Sequence, residues 1–345
     1  VAFNKTPATV RSATDTELAV SVPENATTGL VTVGDAVSST PFLIPRSFSV
    51  GLKLQPVDLS YDAKKDEVWA AGFIKENEGR VSIVGLEQRK LLFTIDLDGT
   101  PGEIALSPAK VERRLALVTY PRDNIISVIN IDNRELIDTL TIAAKNSRGV
   151  AISPDGRWGY VVSPGYIDGN GIVSVIDLSE IKVVGEISVG LMPTRVIFGR
   201  SGLDAFVNNT GDGTLSVINV ESHKVSATIK VGGSPQEVAV SGETYPVWTA
   251  NDKGTISIIA KDHSVNDIKT DINLGSVAVF SKRNQAFFVG PKAKALIMVD
   301  RKGGQKVMEM SGSGVNVKGV ATTPDERGVI VVHPDLNAVS IFDAR

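Results

Sequence analysis

The sequence predicts an all-β fold: a seven-bladed β-propeller of four-stranded blades, with a separate β segment in front of it. Three observations predict this. The 345 residues include 45 Val, well above ordinary usage, with 32 Gly and 16 Pro to punctuate them. A Ser-centred, β-branched segment recurs along the chain. The elements flanking each copy fall in one order, with a mean period of about 43 residues.

The recurring segment is Val173-Ser174-Val175-Ile176-Asp177. Its copies are Val81–Val84, Ile126–Asn130, Leu215–Asn219, Ile256–Ile259 and Val339–Asp343, and Leu296–Asp300 departs from it at the Ser position. Each alternates as a half-buried strand does. Upstream of it lies a short strand closed by a turn, such as Val150-Ala151-Ile152-Ser153-Pro154-Asp155-Gly156. A second strand follows, such as Tyr160-Val161-Val162, Trp69-Ala70-Ala71 or Phe206-Val207-Asn208. Downstream comes a fourth, such as Lys224–Val231. Units of four strands begin near Pro56, Pro101, Arg148, Pro193, Pro235, Ser276 and Val317. The last unit reaches Arg345 without a fourth strand. Residues 47–53 are expected to supply it, because Phe48, Val50 and Leu52 alternate as Ala227, Ile229 and Val231 do. Residues 46–345 then form one ring, closed by pairing a strand from each end so that no sheet edge is left free there.

The pattern Pro-x-x-Val-Ala-Val-Ser-Pro-Asp-Gly, then Tyr-Val-x-Asn, Val-Ser-Val-Ile-Asp and Val-x-x-Ile-x-Val-Gly, resembles the YVTN family of seven-bladed propellers. Val150–Gly190 and Pro193–Gly233 carry it most fully. The first, sixth and seventh units diverge, and the Trp-Asp and Gly-His marks of WD40 repeats are absent. The resemblance implies the fold and says little about function, since the repeated residues build blades.

Residues 1–45 do not fit the repeat. They suggest three short strands joined by Asn, Thr and Gly turns, among them Val31-Thr32-Val33. They resemble the C-terminal half of an IPT/TIG domain, an immunoglobulin-like β-sandwich. A sandwich half exposes its apolar face. A preceding piece of a longer protein, a disordered segment or a neighbouring chain is therefore expected to complete it.

Composition narrows the chemistry. With no Cys there is no thiolate nucleophile or thiolate metal site, and 3 His leave little for a multi-His centre. A net charge of −3 without a basic block disfavours nucleic acid. No apolar run nears the ~18 residues of a membrane-spanning helix. No Gly-x-Ser-x-Gly, Walker or Rossmann fingerprint appears. Asp168-Gly169-Asn170-Gly171 has part of a Ca²⁺ loop but lacks its closing Glu, so a Gly-rich turn is expected there. No cofactor, metal or catalytic residue is expected.

The candidate site is a propeller's usual one, the loop face at the channel mouth. The residues just before the inner strands include Asp58, Glu103, Arg195 and Glu237, with Arg148 and Lys318 one step earlier. Either these charges neutralise one another or they form a polar binding site. Two loops between second and third strands are expected to be long, Gly72–Gly79 and Ser163–Gly171. Tyr120, Tyr166 and Phe73 are candidate aromatics on this face. His333 ends its unit's second strand, where other units have Asn209 and Asn251, and would face the same surface. His223 and His263 fall in outer turns and are expected to be solvated. Trp69 and Trp248 are expected in the core.

These residues suggest a non-enzymatic binding or scaffold protein outside the cytoplasm, periplasmic, surface-bound or secreted. It would recognise a protein, a glycan or another cell-envelope component through the loop face. One alternative is a lactonase-type hydrolase drawing on Glu103, Arg148, Arg195, Glu237 and His333, because sugar-lactone hydrolases use related folds. Another is single-stranded nucleic-acid binding, which the family resemblance suggests and the charge disfavours.

Overall fold

The computed structural model describes residues 49–165, 169–270, 272–280, 283, 285–290, 295–300, 305–309, 317, 319–322, 326, 328–333 and 338–343. In the front segment it describes the backbone of 2–3, 6–7, 9–13, 18–21, 31–33 and 36–37. Among these residues every regular element is a strand.

From Ser49 onward the strands form successive four-stranded antiparallel sheets. The first sheet holds Gln55–Asp62, Glu67–Lys75, Glu78–Gly85 and Lys90–Asp98. The second holds Ile104–Leu106, Leu115–Thr119, Ile125–Asn130 and Glu135–Thr141. The third holds Val150–Ile152, Trp158–Ser163, Ile172–Asp177 and Lys182–Ser188. The fourth holds Pro193–Phe198, Asp204–Asn209, Thr214–Asn219 and Lys224–Lys230. The fifth holds Pro235–Val240, Val247–Asn251, Thr255–Ile259 and Val265–Lys269. The sixth holds Ser276–Phe280, Gln285–Val289, Ala295–Asp300 and Gln305–Glu309. In the seventh, Gly319–Thr322, Gly328–His333 and Ala338–Asp343 are joined by Ser49–Gly51 from the other end of the chain.

Burial within a sheet follows strand order. Second and third strands are covered on both faces: Leu115–Thr119, Val247–Asn251 and Thr255–Ile259 are buried throughout, which their β-branched and aromatic composition suits. Fourth strands are outer edges. Lys182–Ser188 and Lys224–Lys230 share one alternating pattern, exposed at every second residue and carrying Lys and Glu there. Charge on an edge discourages pairing with another chain.

The core is divided into buried clusters, each spanning two adjacent sheets. Tyr160, Val162 and Val173 of the third sheet pack on Val196, Phe198 and Val207 of the fourth. At the seam, Val50 and Leu52 pack on Val68, Ala70 and Val84 of the first sheet. The first strands of neighbouring sheets touch in chain order, and Gly319–Thr322 of the seventh touches Gln55–Asp62 of the first.

The third-strand serines are structural. Ser82, Ser127, Ser174, Ser216 and Ser257 are buried. Ser82 Oγ donates to Leu52 O at 2.5 Å, tying the first sheet to the seam segment. Ser216 and Ser257 accept from the amides of Asn209 and Asn251 at 2.8 and 2.9 Å.

Two sequence expectations fail here. Gly72–Gly79 is not an open loop but the end of a long hairpin, with a two-residue turn at Glu76-Asn77. Asn77 takes a left-handed φ of 60°, a conformation Asn tolerates in turns. His223 is half-buried rather than solvated. Its Nδ1 lies 2.6 Å from Tyr160 Oη, and Trp158 meets its ring edge-on at 4.6 Å. Burial, then the nearby Arg157 charge, holds its pKa below the usual value. Trp69 and Trp248 are in the core as expected.

In the front segment Ala2–Phe3 pairs with Thr6–Pro7 and Val31–Val33, and Thr9–Ala13 pairs with Leu18–Ser21.

Candidate functional site

The site begins with a backbone irregularity. In three sheets the register between first and second strands slips by one residue at the start: between Pro56 and Asp58, Pro193 and Arg195, and Pro235 and Glu237. Such a bulge leaves the intervening residue out of the ladder and re-aims its neighbours. Proline, which lacks an N–H, suits the position before it. The bulges sort the side chains into two layers. Asp58, Arg195 and Glu237 line the central channel, with Glu103 from the second sheet and Ser276 and Gly319 from the sixth and seventh. Val57, Thr194 and Gln236, with Gly102 and Arg148, line a pocket at the mouth.

The channel layer is closed upon itself. Arg195 pairs with Glu103 through one terminal nitrogen and with Glu237 through Nε at 2.7 Å. Its own side chain is 23% exposed. Asp58 Oδ2 accepts from Ile104 N at 3.0 Å, and Ser276 Oγ accepts from Val320 N at 3.1 Å. First strands are the inner edges of their sheets, so these side chains satisfy amides that the ladders leave open.

Burial governs the charges. Desolvation raises Glu103 to about 8, against the pull of Arg195 and with added repulsion from Asp58 and Glu237. Desolvation raises Glu237 to about 7, again opposed by Arg195. Asp58 is raised by burial too. Arg195 is pushed further up, because the three carboxylates outweigh its desolvation. Three carboxyls thus share one guanidinium, and burial raises all three.

The mouth layer differs. Arg148 is exposed, and no described carboxylate stands within ion-pair distance of it. It faces a pocket of about 560 Å³ with Asn146, Thr194 and Gln236. A channel cavity of about 400 Å³ lies on the other side of the Arg195–Glu103 pair, which borders both spaces. The third sheet differs from its neighbours because Gly149 occupies its channel position. A Cβ there would meet Arg195 Cα at 2.7 Å and Thr194 O at 2.8 Å. Glycine lets the fourth sheet's first strand approach closely. Gly149→Ala is expected to destabilise by about 1–3 kcal/mol, read as a lower melting temperature.

The other sequence candidates divide. Tyr120 is a correction. It is fully buried, its hydroxyl hydrogen-bonds Ser127 Oγ at 2.8 Å, and it offers nothing to a ligand. In register it occupies the place of Asn209 and Asn251, so Leu117-Val118-Thr119-Tyr120 matches Phe206-Val207-Asn208-Asn209. Phe73 is half-buried on the hairpin. Tyr166, Asp168 and Lys318 lie outside the described residues, and His333 is described only in its backbone, which pairs with Ala338. Among the described residues no group of three or more His, Cys, Asp or Glu is placed to hold a metal.

Sequence reasoning missed Leu191 and Met192, which enter the fourth sheet on the mouth face and are 42% and 53% exposed. Where Val231-Gly232-Gly233-Ser234-Pro235 has small residues, Val189-Gly190-Leu191-Met192-Pro193 has two large apolar ones, and that difference is the signal. The loop is fixed: Leu191 N donates to Asp212 at 2.9 Å, and Gly211 N and Thr210 N donate to Leu191 O and Met192 O. Met192 is held at a φ of 49°. A larger cleft, of about 630 Å³, lies on the opposite face between turns of the fourth and fifth sheets, lined by Leu203, Asp204, Tyr245 and Lys261.

No protein-family model matches the chain, and no curated protein matches its sequence. Solved structures do. Kuenenia stuttgartiensis hydrazine synthase superposes with a TM-score of 0.72 at 15% identity, over 84% of this chain and 96% of that one. The Myceliophteria thermophila Cps50 (Swd1) β-propeller domain superposes with a TM-score of 0.68 at 11% identity, over 84% of this chain and 97% of that one. At such identities the likeness speaks for the fold alone, and the fold is a β-propeller.

Proposed function

We propose that this protein is a non-enzymatic binding scaffold whose propeller presents the mouth pocket to a partner protein. The observation that carries the reading is the division of charge. The channel carboxylates are engaged with Arg195 and backbone amides, while Arg148 stands exposed over a pocket of polar side chains. A rigid scaffold with an open polar mouth suits recognition.

The finer architecture belongs to the same proposal. The seven sheets are the blades of one ring of YVTN type, with Ser49–Gly51 as the outer strand of the last blade. The pairing of that strand, the seam cluster and the contact between the last and first inner strands support this. The front strands are part of an Ig-like sheet, and the work is done outside the cytoplasm. The TIG-like front segment and the resemblance to envelope proteins motivate that location.

Affinity capture from a bacterial envelope extract tests the reading, comparing the unaltered chain with Arg148→Glu and with Leu191→Asp/Met192→Asp. Loss of the same captured protein in both variants, at unchanged melting temperature, is the expected result. Capture that persists in both refutes the mouth as the binding face. The hydrolase alternative would draw on Glu103 or Glu237 as general base, whose raised pKa values suit that role but whose carboxyls are engaged with Arg195. A lactone panel showing turnover abolished by Glu103→Gln would favour it instead.

A further inference from the structure

The mouth pocket has a charge preference and an apolar neighbour, and the two together narrow its ligand. Arg148 is the exposed cation of the pocket. Asn146, Thr194 and Gln236 add polar groups beside it, and the Arg195 guanidinium borders the pocket floor. Met192 stands two residues before Thr194, and with Leu191 it forms an exposed apolar shelf on the same face. The shelf is pre-organised by three hydrogen bonds to the Thr210–Asp212 turn, so a ligand need not order it.

We propose that this surface binds an acidic segment of a partner protein: a carboxylate side chain directed at Arg148, flanked by a large apolar side chain seated on Leu191 and Met192. The proposal rests on the binding-face reading above and adds the chemistry of the partner. A cation in a partly enclosed polar pocket selects a carboxylate, and the adjacent shelf adds apolar burial to it.

The layer beneath makes the recognition pH-dependent. Among the described residues the charged groups lining the pocket are Glu103, Arg148 and Arg195, and Asp58 and Glu237 join Glu103 and Arg195 in the channel layer beneath. The sixth and seventh sheets contribute the uncharged Ser276 and Gly319 to the same layer. Ionisation of Glu103 and Glu237 adds two negative charges beneath Arg148. Glu237 and Glu103 release their protons at about 7 and about 8, so an acidic ligand is held at lower pH and repelled above.

A random-sequence peptide library selected on the immobilised full chain at about pH 6 tests this. Enrichment of Asp or Glu next to Leu, Ile, Met or Phe is expected. The enriched peptides should bind Arg148→Gln about tenfold more weakly and Met192→Ser about threefold more weakly. Their affinity should fall about tenfold between pH 6 and pH 9, and less in Glu103→Gln. Enrichment of neutral or basic peptides, no enrichment, or affinity untouched by Arg148→Gln overturns the proposal. If envelope capture still depends on Arg148→Glu and the Leu191/Met192 pair in that event, the binding face stands and only its acidic ligand falls. If capture is also indifferent to them, both fall.

Discussion

Arg195→Met is expected to destabilise the propeller by about 3–5 kcal/mol at pH 8, the range for removing one partner of a buried ion pair. For a chain of this size that is a fall of about 5 °C in melting temperature. The guanidinium is the cation shared by Glu103, Glu237 and Asp58 at the channel. Without it, three carboxyls face one another in a poorly solvated layer. The loss should shrink towards pH 5, because Glu103 and Glu237 then carry protons and need no counter-charge. The unaltered protein should show the same trend more gently. Burial raises Glu103 to about 8 and Glu237 to about 7 in the folded state, above the ordinary carboxylate range. A group whose pKa is raised by folding contributes stability that is full below the unfolded pKa and is lost as pH rises through the folded one. The melting temperature is therefore expected to fall by about 5 °C between pH 6 and pH 8, from these groups alone. Glu103→Gln should flatten that slope. A slope of opposite sign, or an Arg195→Met variant as stable as the parent at pH 8, contradicts the burial and pairing assigned to this layer.

Arg114→Met is expected to cost a similar 3–5 kcal/mol. Arg114 sits at the junction of the first and second sheets with its side chain wholly buried, paired with the equally buried Asp62. A second terminal nitrogen reaches Asp132 at 2.9 Å. Lys65 adds to the junction by donating to Ile131 O and Asp132 O at 3.1 and 3.2 Å. Asp62 Oδ2 and Arg114 Nε are buried without a hydrogen-bond partner, so the pair is imperfectly solvated by the protein. Removing the cation alone strands a buried carboxylate. The double variant Asp62→Leu/Arg114→Met removes both charges and is expected to recover half or more of the loss, since apolar replacements of whole buried pairs are often neutral. Chemical denaturation of the parent, the single and the double variant measures this. A single variant within 1 kcal/mol of the parent would contradict the role of the pair as a clamp between sheets.

Much of the propeller was legible because its physics is periodic. Each Val-Ser-Val-Ile-Asp segment is the third strand of a sheet, and its Ser is buried; Ser216 and Ser257 accept from second-strand amides and Ser82 donates to a backbone carbonyl, while Ser174 Oγ has no partner. Alternation in Lys224–Lys230 announced an edge strand. The site was half legible. Pro-x-Arg and Pro-x-Glu placed Arg195 and Glu237 at the channel, but a one-residue bulge decides whether a side chain enters the channel or the mouth. Sequence spacing alone put Arg148 in one ring with Arg195, where the structure separates them. Tyr120 was misread because an aromatic after a strand resembles a loop residue, while its register is that of a buried Asn. Leu191 and Met192 carry no charge or repeat signature of their own, and their oddity appears only against Gly233 and Ser234 of the next unit.

The distinction between a closed channel layer and an open mouth is the centre of the account. Hydrogen exchange on the protein with its captured partner or a selected peptide tests it most directly. Binding at the mouth should slow exchange of the amides of residues 146–149, 190–195 and 234–237 and leave the Leu203–Asp204 and Glu243–Pro246 turns of the opposite face unchanged. Protection confined to those opposite turns, with the mouth amides exchanging as in the unbound protein, would contradict it.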